Sequence, residues 1–165
     1  MSVGRREKKT PVVSRGAFLL LAGFVLLLDQ FTKASAKSFL LPGASRTILP
    51  NLFRLTLVEN QGIAFGFFQG GEKLLLAVIS MSICVLIAVG FYSHPERIRV
   101  QWGIGLILGG ALGNWVDRVR LGAVIDFLDF HLGRLFNWPV FNFADTAISV
   151  GVGLFLLDWM KKNAS

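Results

Sequence analysis

The sequence predicts an all-α membrane protein of four transmembrane helices, with a small extracytoplasmic β-rich excursion between the first helix and the second. Three observations carry this. Of the 165 residues, 53% are hydrophobic and only 16% charged, against roughly 25% charged in an ordinary soluble domain. The apolar residues gather in four long runs, and the basic residues gather at the ends of those runs. The length suits a single domain covering residues 1–165.

The first helix is expected at about 16–34, and its stretch 17–28 has no polar side chain. The second is expected at 74–92, free of charge, and the third at 100–116, rich in glycine and holding Asn114. The fourth is expected at 141–160, with Asn142 and Asp145 at its start. At ~1.5 Å per residue each run can cross a hydrocarbon core of ~30 Å with help from its flanks. A basic start and Ala34-Ser35-Ala36 also give the first run the look of a cleavable signal. Asp29, Gln30 and Lys33 stand where a signal rarely carries charge, and three further runs follow, so the anchor reading is preferred.

The formal net charge of +7 would suggest nucleic acid in a soluble protein. Here Arg5, Arg6, Lys8, Lys9 and Arg15 precede the first run, His94, Glu96, Arg97 and Arg99 join the second to the third, and Lys161 and Lys162 follow the last. That distribution fits the positive-inside rule, with both termini cytoplasmic, and not a nucleic-acid surface. Two excursions then face outward, 35–73 and 117–140. Arg118, Arg120 and Arg134 in the second sit beside acids, which points to a site more than to topology.

The first excursion is too long for a simple connector. Over about 45–70 it reads as short strands: Thr47-Ile48-Leu49, then a stretch in which Phe53, Leu55 and Leu57 alternate with Arg54, Thr56 and Val58. The run Gly62-Ile63-Ala64-Phe65-Gly66-Phe67-Phe68 suits the membrane surface, and Gly70-Gly71 breaks the chain before the second helix. The single cysteine, Cys84, cannot form an intramolecular disulfide and reads as a buried thiol. One cysteine and two histidines make a Cys/His metal site unexpected. Gly105, Gly109 and Gly113 recur every fourth residue, the small-residue pattern of closely packed membrane helices.

An ionisable group inside a spanning segment is costly and so usually has a role. Asp29 lies near the outer end of the first helix, in reach of Lys33 at i,i+4, either as an interfacial ion pair or as a group that supports a site. Asn114 and Asp117 share a face at the outer end of the third helix, with Arg118 following. Asp126 is one acid in the otherwise apolar Gly122-Ala123-Val124-Ile125-Asp126-Phe127, while Asp129 and His131 read as wet loop residues. Asn142 and Asp145 open the fourth helix on one face, as helix caps or as site residues. Two carboxylates held close in a partly dry place cannot both ionise easily, so one keeps a proton while the other takes one from water. Such a pair can hydrolyse an amide without a covalent intermediate. Spacing alone does not bring Asp126 and Asp145 together.

In order, Asp29-Gln30-Phe31-Thr32-Lys33, Asn60-Gln61-Gly62-Ile63-Ala64-Phe65, Gly113-Asn114-Trp115-Val116-Asp117-Arg118, Gly122-Ala123-Val124-Ile125-Asp126-Phe127 and Phe141-Asn142-Phe143-Ala144-Asp145 resemble the ordered motifs of the lipoprotein signal peptidase (signal peptidase II) family. The resemblance runs from about Asp29 to Gly151, with Ile63 standing where the family usually has a small residue. It implies a cofactor-free, metal-free aspartic endopeptidase of the bacterial inner membrane. Its substrates would be diacylglyceryl-modified prolipoproteins, presented from membrane lipid and cut before the lipidated cysteine. The family is the target of the cyclic peptide globomycin, and a monomer is expected. Carried over by motif, Asp126 and Asp145 would be the catalytic pair. Asn114, Asp117, Arg118 and Asn142 would support them, and Asp29, Gln30 and Asn60 would line the substrate side. A rival reading is a proton-coupled transporter with Asp29, Asp126 and Asp145 as a relay. It predicts acids spread through the depth of the bilayer, and these cluster at one end. A non-catalytic scaffold, the third reading, would tolerate Asp145→Asn.

Overall fold

A computed structural model describes residues 15–61, 98–133 and 135–163. The predicted second helix with Cys84, the run from Gly62 to Gly71, Arg134, the basic residues Arg5, Arg6, Lys8 and Lys9, and His94, Glu96 and Arg97 lie outside the described residues.

Three helices and a four-stranded sheet make up the described part. The chain runs α1 (Arg15–Phe39), β1 (Ser45–Leu49), β2 (Phe53–Asn60), α2 (Ile98–Leu121), β3 (Val124–Leu132), β4 (Phe136–Asn137) and α3 (Phe143–Asn163). The all-α class is therefore corrected. The sheet draws strands from both outward excursions, in the order β1-β2-β3-β4 and antiparallel throughout. Each helix also runs past the C-terminal end of its apolar stretch, because hydrogen-bonded backbone continues beyond the last apolar side chain, whereas α3 begins two residues later than expected because Phe141 is bridged to Leu128. In α1 the backbone passes through Ala34-Ser35-Ala36 without a break.

The polarity of the bundle is that of a protein in lipid. On α1, Leu20 is 75% exposed and Leu27 71%, while Asp29 is 0% and Lys33 3% exposed. Water would penalise that arrangement on both counts, whereas a bilayer rewards it. Two described spans, Ala17–Phe39 and Phe143–Lys161, are long and apolar enough to cross a membrane.

Helix α2 holds the bundle together through glycine. Gly105 and Gly109 meet Phe18, Leu21, Ala22 and Val25 of α1, while Gly103 and Gly110 meet Gly151 and Ala144 of α3. A Cβ at Gly109 would stand 2.6 Å from the Ala22 carbonyl oxygen, so the backbones touch where any other residue would hold them apart. Phe18 and Ile104 fill the inner end of this interface. At the outer end a second core of Ala36, Leu40, Leu57, Ile125 and Phe127 seats the sheet on the tip of α1.

Two local features aim the site. Gly122 closes α2 in the left-handed region, φ 70°, and donates its N–H to the Arg118 carbonyl at 3.0 Å. This is the glycine C-cap that lets the chain turn at once into β3. A bulge between Leu55 and Val58 then shifts the β2–β3 register, setting Val58 opposite Asp126 and Asn60 opposite Val124.

Candidate active site

Asp126 lies on β3, 2% exposed, and Asp145 lies half-buried in the first turn of α3. One residue touches both. The Asn142 side-chain amide donates to Asp126 Oδ1 at 2.7 Å, and its backbone N–H donates to Asp145 Oδ2 at 3.2 Å. The Asp145 N–H returns a bond to Asn142 Oδ1 at 2.9 Å. Asn142 and Asp145 thus form a reciprocal box at the helix start, satisfying donors that have no partner within the helix. Capping and site, posed as alternatives by the sequence, are one arrangement.

Asn114 of α2 completes the ring. Its amide donates to Asp145 Oδ1 at 2.8 Å, and its oxygen accepts from Asn142 Nδ2 at 3.1 Å. Asn60 at the end of β2 donates to the other oxygen of Asp126, Oδ2, at 2.9 Å. Burial pushes the Asp126 carboxyl up to about 6, and the negative charge of Asp145 adds to the rise, against the hydrogen bonds of Asn60 and Asn142 and the charge of Lys33.

Beneath the pair lies a buried ion cluster. Lys33 Nζ sits 2.8 Å from Asp29 Oδ2, 2.8 Å from Asp117 Oδ2 and 2.9 Å from Asn114 Oδ1. Asp29 Oδ1 accepts the Ala144 N–H at 2.9 Å, tying α1 to the start of α3. Asp117 Oδ2 accepts the Ile125 N–H at 3.1 Å, tying α2 to β3. Gln30 Nε2 donates to Asp117 Oδ1 at 2.9 Å and to the Gly113 carbonyl at 3.2 Å. Both segments that present the pair, β3 and the start of α3, are anchored to this cluster.

The predicted site residues therefore converge, but in two layers. Asp126, Asp145, Asn60, Asn114 and Asn142 form the upper one, while Asp29, Gln30 and Asp117 lie below it. Asp29 is fully buried in the ion cluster, 0% exposed. Asp117 takes Lys33 as its ion-pair partner in place of the adjacent Arg118. Arg118 Nη1 donates to the Asn114 carbonyl at 3.4 Å, within electrostatic range of Asp145, Asp126 and Asp117. Sequence reasoning missed Lys33 as a member of the site, although its i,i+4 spacing from Asp29 was visible. It also misplaced Asp129, which is 2% exposed on β3 and accepts from Thr56 Oγ1 at 2.7 Å and from Arg54 Nε. Burial acts to raise the Asp129 carboxyl, but those donors and the Arg54 charge outweigh it and hold the group below its ordinary value. The alternating pattern of β2 was the available signal, since a strand with Arg54 and Thr56 on one face wants a partner carrying an acid.

Inward acids, outward apolar side chains and a carboxylate pair braced by amides define a membrane-embedded enzyme. A family profile described as signal peptidase (SPase) II matches residues 21–161. The lipoprotein signal peptidase of Syntrophus aciditrophicus (strain SB) is 44% identical over 152 residues, 88% of this chain and 93% of the relative. That of Gloeothece citriformis (strain PCC 7424) is 46% identical over 142 residues, 85% of this chain and 86% of the relative. A bacterial membrane enzyme solved by the in meso method at 1.9 Å superposes with a TM-score of 0.81 at 31% identity, covering 94% of this chain and 99% of that one. The chain belongs to the signal peptidase II family and is a membrane peptidase.

Proposed function

We propose that the chain is an aspartic endopeptidase that removes signal peptides from prolipoproteins, cutting before a cysteine that carries diacylglyceryl. The observation that carries the reading is Asn142, which hydrogen-bonds both carboxylates and so fixes Asp126 and Asp145 relative to one another. Asp126, raised to about 6, is the group suited to hold the shared proton. Asp145 takes a proton from water as the water oxygen attacks the scissile carbonyl carbon, and Asp126 gives its proton to the carbonyl oxygen. On collapse the C–N bond breaks, the leaving amine takes the proton from Asp145, and a hydroxyl of the tetrahedral intermediate returns one to Asp126. Asn60 reaches Asp126 from the sheet, where a peptide emerging from the bilayer would lie. The acids gather in one hydrogen-bonded cluster, the arrangement of a hydrolytic site more than of a relay. The chain acts as a monomer in the inner membrane with both termini cytoplasmic, and globomycin would compete with substrate.

The test is cleavage of a diacylglyceryl-modified prolipoprotein in detergent by the parent, Asp126→Asn and Asp145→Asn, read as a gel shift. The parent should cleave, and both variants should bind substrate and leave it intact. Normal cleavage by either variant would overturn the mechanism.

A further inference from the structure

We propose that Lys33 is a positioning residue for the catalytic pair, setting the direction of the Asn114 amide so that an N–H and not an oxygen faces Asp145. The inference rests on the aspartic-peptidase reading. An ammonium can only donate, and its three hydrogens are matched by Asp29 Oδ2, Asp117 Oδ2 and Asn114 Oδ1, at 2.8, 2.8 and 2.9 Å. The oxygen of Asn114 must therefore face Lys33. Because the amide is planar, its NH2 then points to Asp145 Oδ1, 2.8 Å away. The same Asn114 oxygen accepts one hydrogen of Asn142 Nδ2, leaving that group's other hydrogen for Asp126 Oδ1. Flipping Asn114 would set N–H against the ammonium and against Asn142, and oxygen against the Asp145 carboxylate. One buried cation thus reaches both catalytic carboxylates through neutral amides, while direct ion pairs hold it to Asp29 and Asp117.

A purely structural Lys33 would act only on folding, and the two roles are separable. Lys33→Met alone strands two buried acids and threatens the fold. The paired change Asp29→Asn with Lys33→Met removes one charge of each sign, the new amide oxygen can still accept the Ala144 N–H, and the Asp117 carboxylate keeps the Gln30 side chain and the Ile125 N–H as donors. Cleavage kinetics and thermal unfolding in detergent would be measured for the parent, Asp126→Asn, Asn114→Ala, the paired variant, and the paired variant with Asn114→Ala added. The expected result is a paired variant that unfolds within a few degrees of the parent, with KM changed less than about two-fold and kcat lowered at least about ten-fold. The variant carrying all three changes should then be no slower than Asn114→Ala alone, because Lys33 works through Asn114. The proposal is overturned if the paired variant keeps kcat within about two-fold, if the two losses multiply, or if activity falls only in step with unfolding. An Asp126→Asn protein that cleaves like the parent would instead sink the aspartic reading itself.

Discussion

Replacing Gly113 with alanine tests whether the glycine face of α2 serves packing alone or also the site. The control is Gly109→Ala, one turn away on the same face. At Gly109 the added Cβ meets Val25 Cβ at 2.7 Å as well as the Ala22 carbonyl, and neither main chain nor a β-branched stem can swing aside. Ordinary contact begins near 3.4 Å, so α1 and α2 must part by roughly 0.8 Å. Overpacking of this kind costs about 1–3 kcal/mol, or roughly 3–10 °C in Tm for a chain of this size. At Gly113 the obstacle is the Asp29 carboxylate. A carboxylate could rotate away, but its Oδ1 holds the Ala144 N–H and its Oδ2 holds Lys33. Rotation would release the start of α3, where Asn142 and Asp145 sit on either side of Ala144. A shift of about 1 Å in catalytic geometry costs up to ~100-fold. Gly113→Ala should therefore lose about 10- to 100-fold in kcat at a Tm similar to that of Gly109→Ala, which should keep cleavage within about three-fold. Thermal unfolding and cleavage kinetics of the two variants decide it. Equal activity loss in both, at equal Tm, would refute the carboxylate argument and leave helix separation as the cause. A Gly113→Ala protein matching the parent in both measurements would refute the close approach itself.

Cleavage should fall as pH rises past about 6, because the shared proton is then lost and the pair becomes doubly ionised. Asn60 donates to the ionised form of Asp126, so Asn60→Ala should move that basic limb upward, by about half a unit given water's access to the exposed Asn60, and a limb that stays or moves down would count against the assignment. Arg54→Met should leave Asp129 buried with the Thr56 bond and lower stability by about 1–2 kcal/mol, discounted because Arg54 is 40% exposed. The sign follows from the depressed Asp129 carboxyl, whose contribution is present above its ordinary value and is lost as pH falls through the folded value. The difference in Tm between Arg54→Met and parent should accordingly shrink in acid, and a difference independent of pH would rule out this pair as its source. Asp117→Asn should weaken the Lys33 pair while the Ile125 N–H keeps its acceptor oxygen, lowering Tm more than it alters KM, and a selective rise in KM would place Asp117 against substrate instead.

Much of this was legible in the sequence because lipid simplifies the reading. An acid or amide between apolar runs has few places to go, so Asp29, Asn114, Asp126, Asn142 and Asp145 stood out, and in the structure they converge. What the sequence hid was pairing. The stretch Val124-Ile125-Asp126-Phe127 has no clean alternation, because Ile125 and Phe127 pack on α1 while neighbouring Val124 is buried as well. A strand buried on both faces cannot be told from other apolar segments by period. Its partner β2 carries a bulge, so even a correct strand reading would have given the wrong register and missed the reach from Asn60 to Asp126. Lys33 was hidden for another reason. A lysine four residues from an aspartate on one helix is usually a surface pair, and only the packing of α2 against α1 reveals that Asp117 and Asn114 close over it.

The division between the two layers follows from charge. Asp29, Asp117, Asp126 and Asp145 surround one fully buried cation, Lys33, with Arg118 at the margin. Lys33 is in direct contact with Asp29 and Asp117, two carboxylates against one cation, and reaches Asp126 only as a more distant charge. Cations bridging that upper pair would hold both groups ionised and leave no proton to donate. Neutral amides do something different: Asn142 and Asn114 fix the position of both carboxylates without supplying the charge that would strip the proton. Mutual repulsion and burial then keep one proton in the pair, as the rise of Asp126 to about 6 reflects. The lower layer gives rigidity at fixed charge and the upper layer gives position at variable charge, and the proposed hydrolysis of an amide by water draws on both.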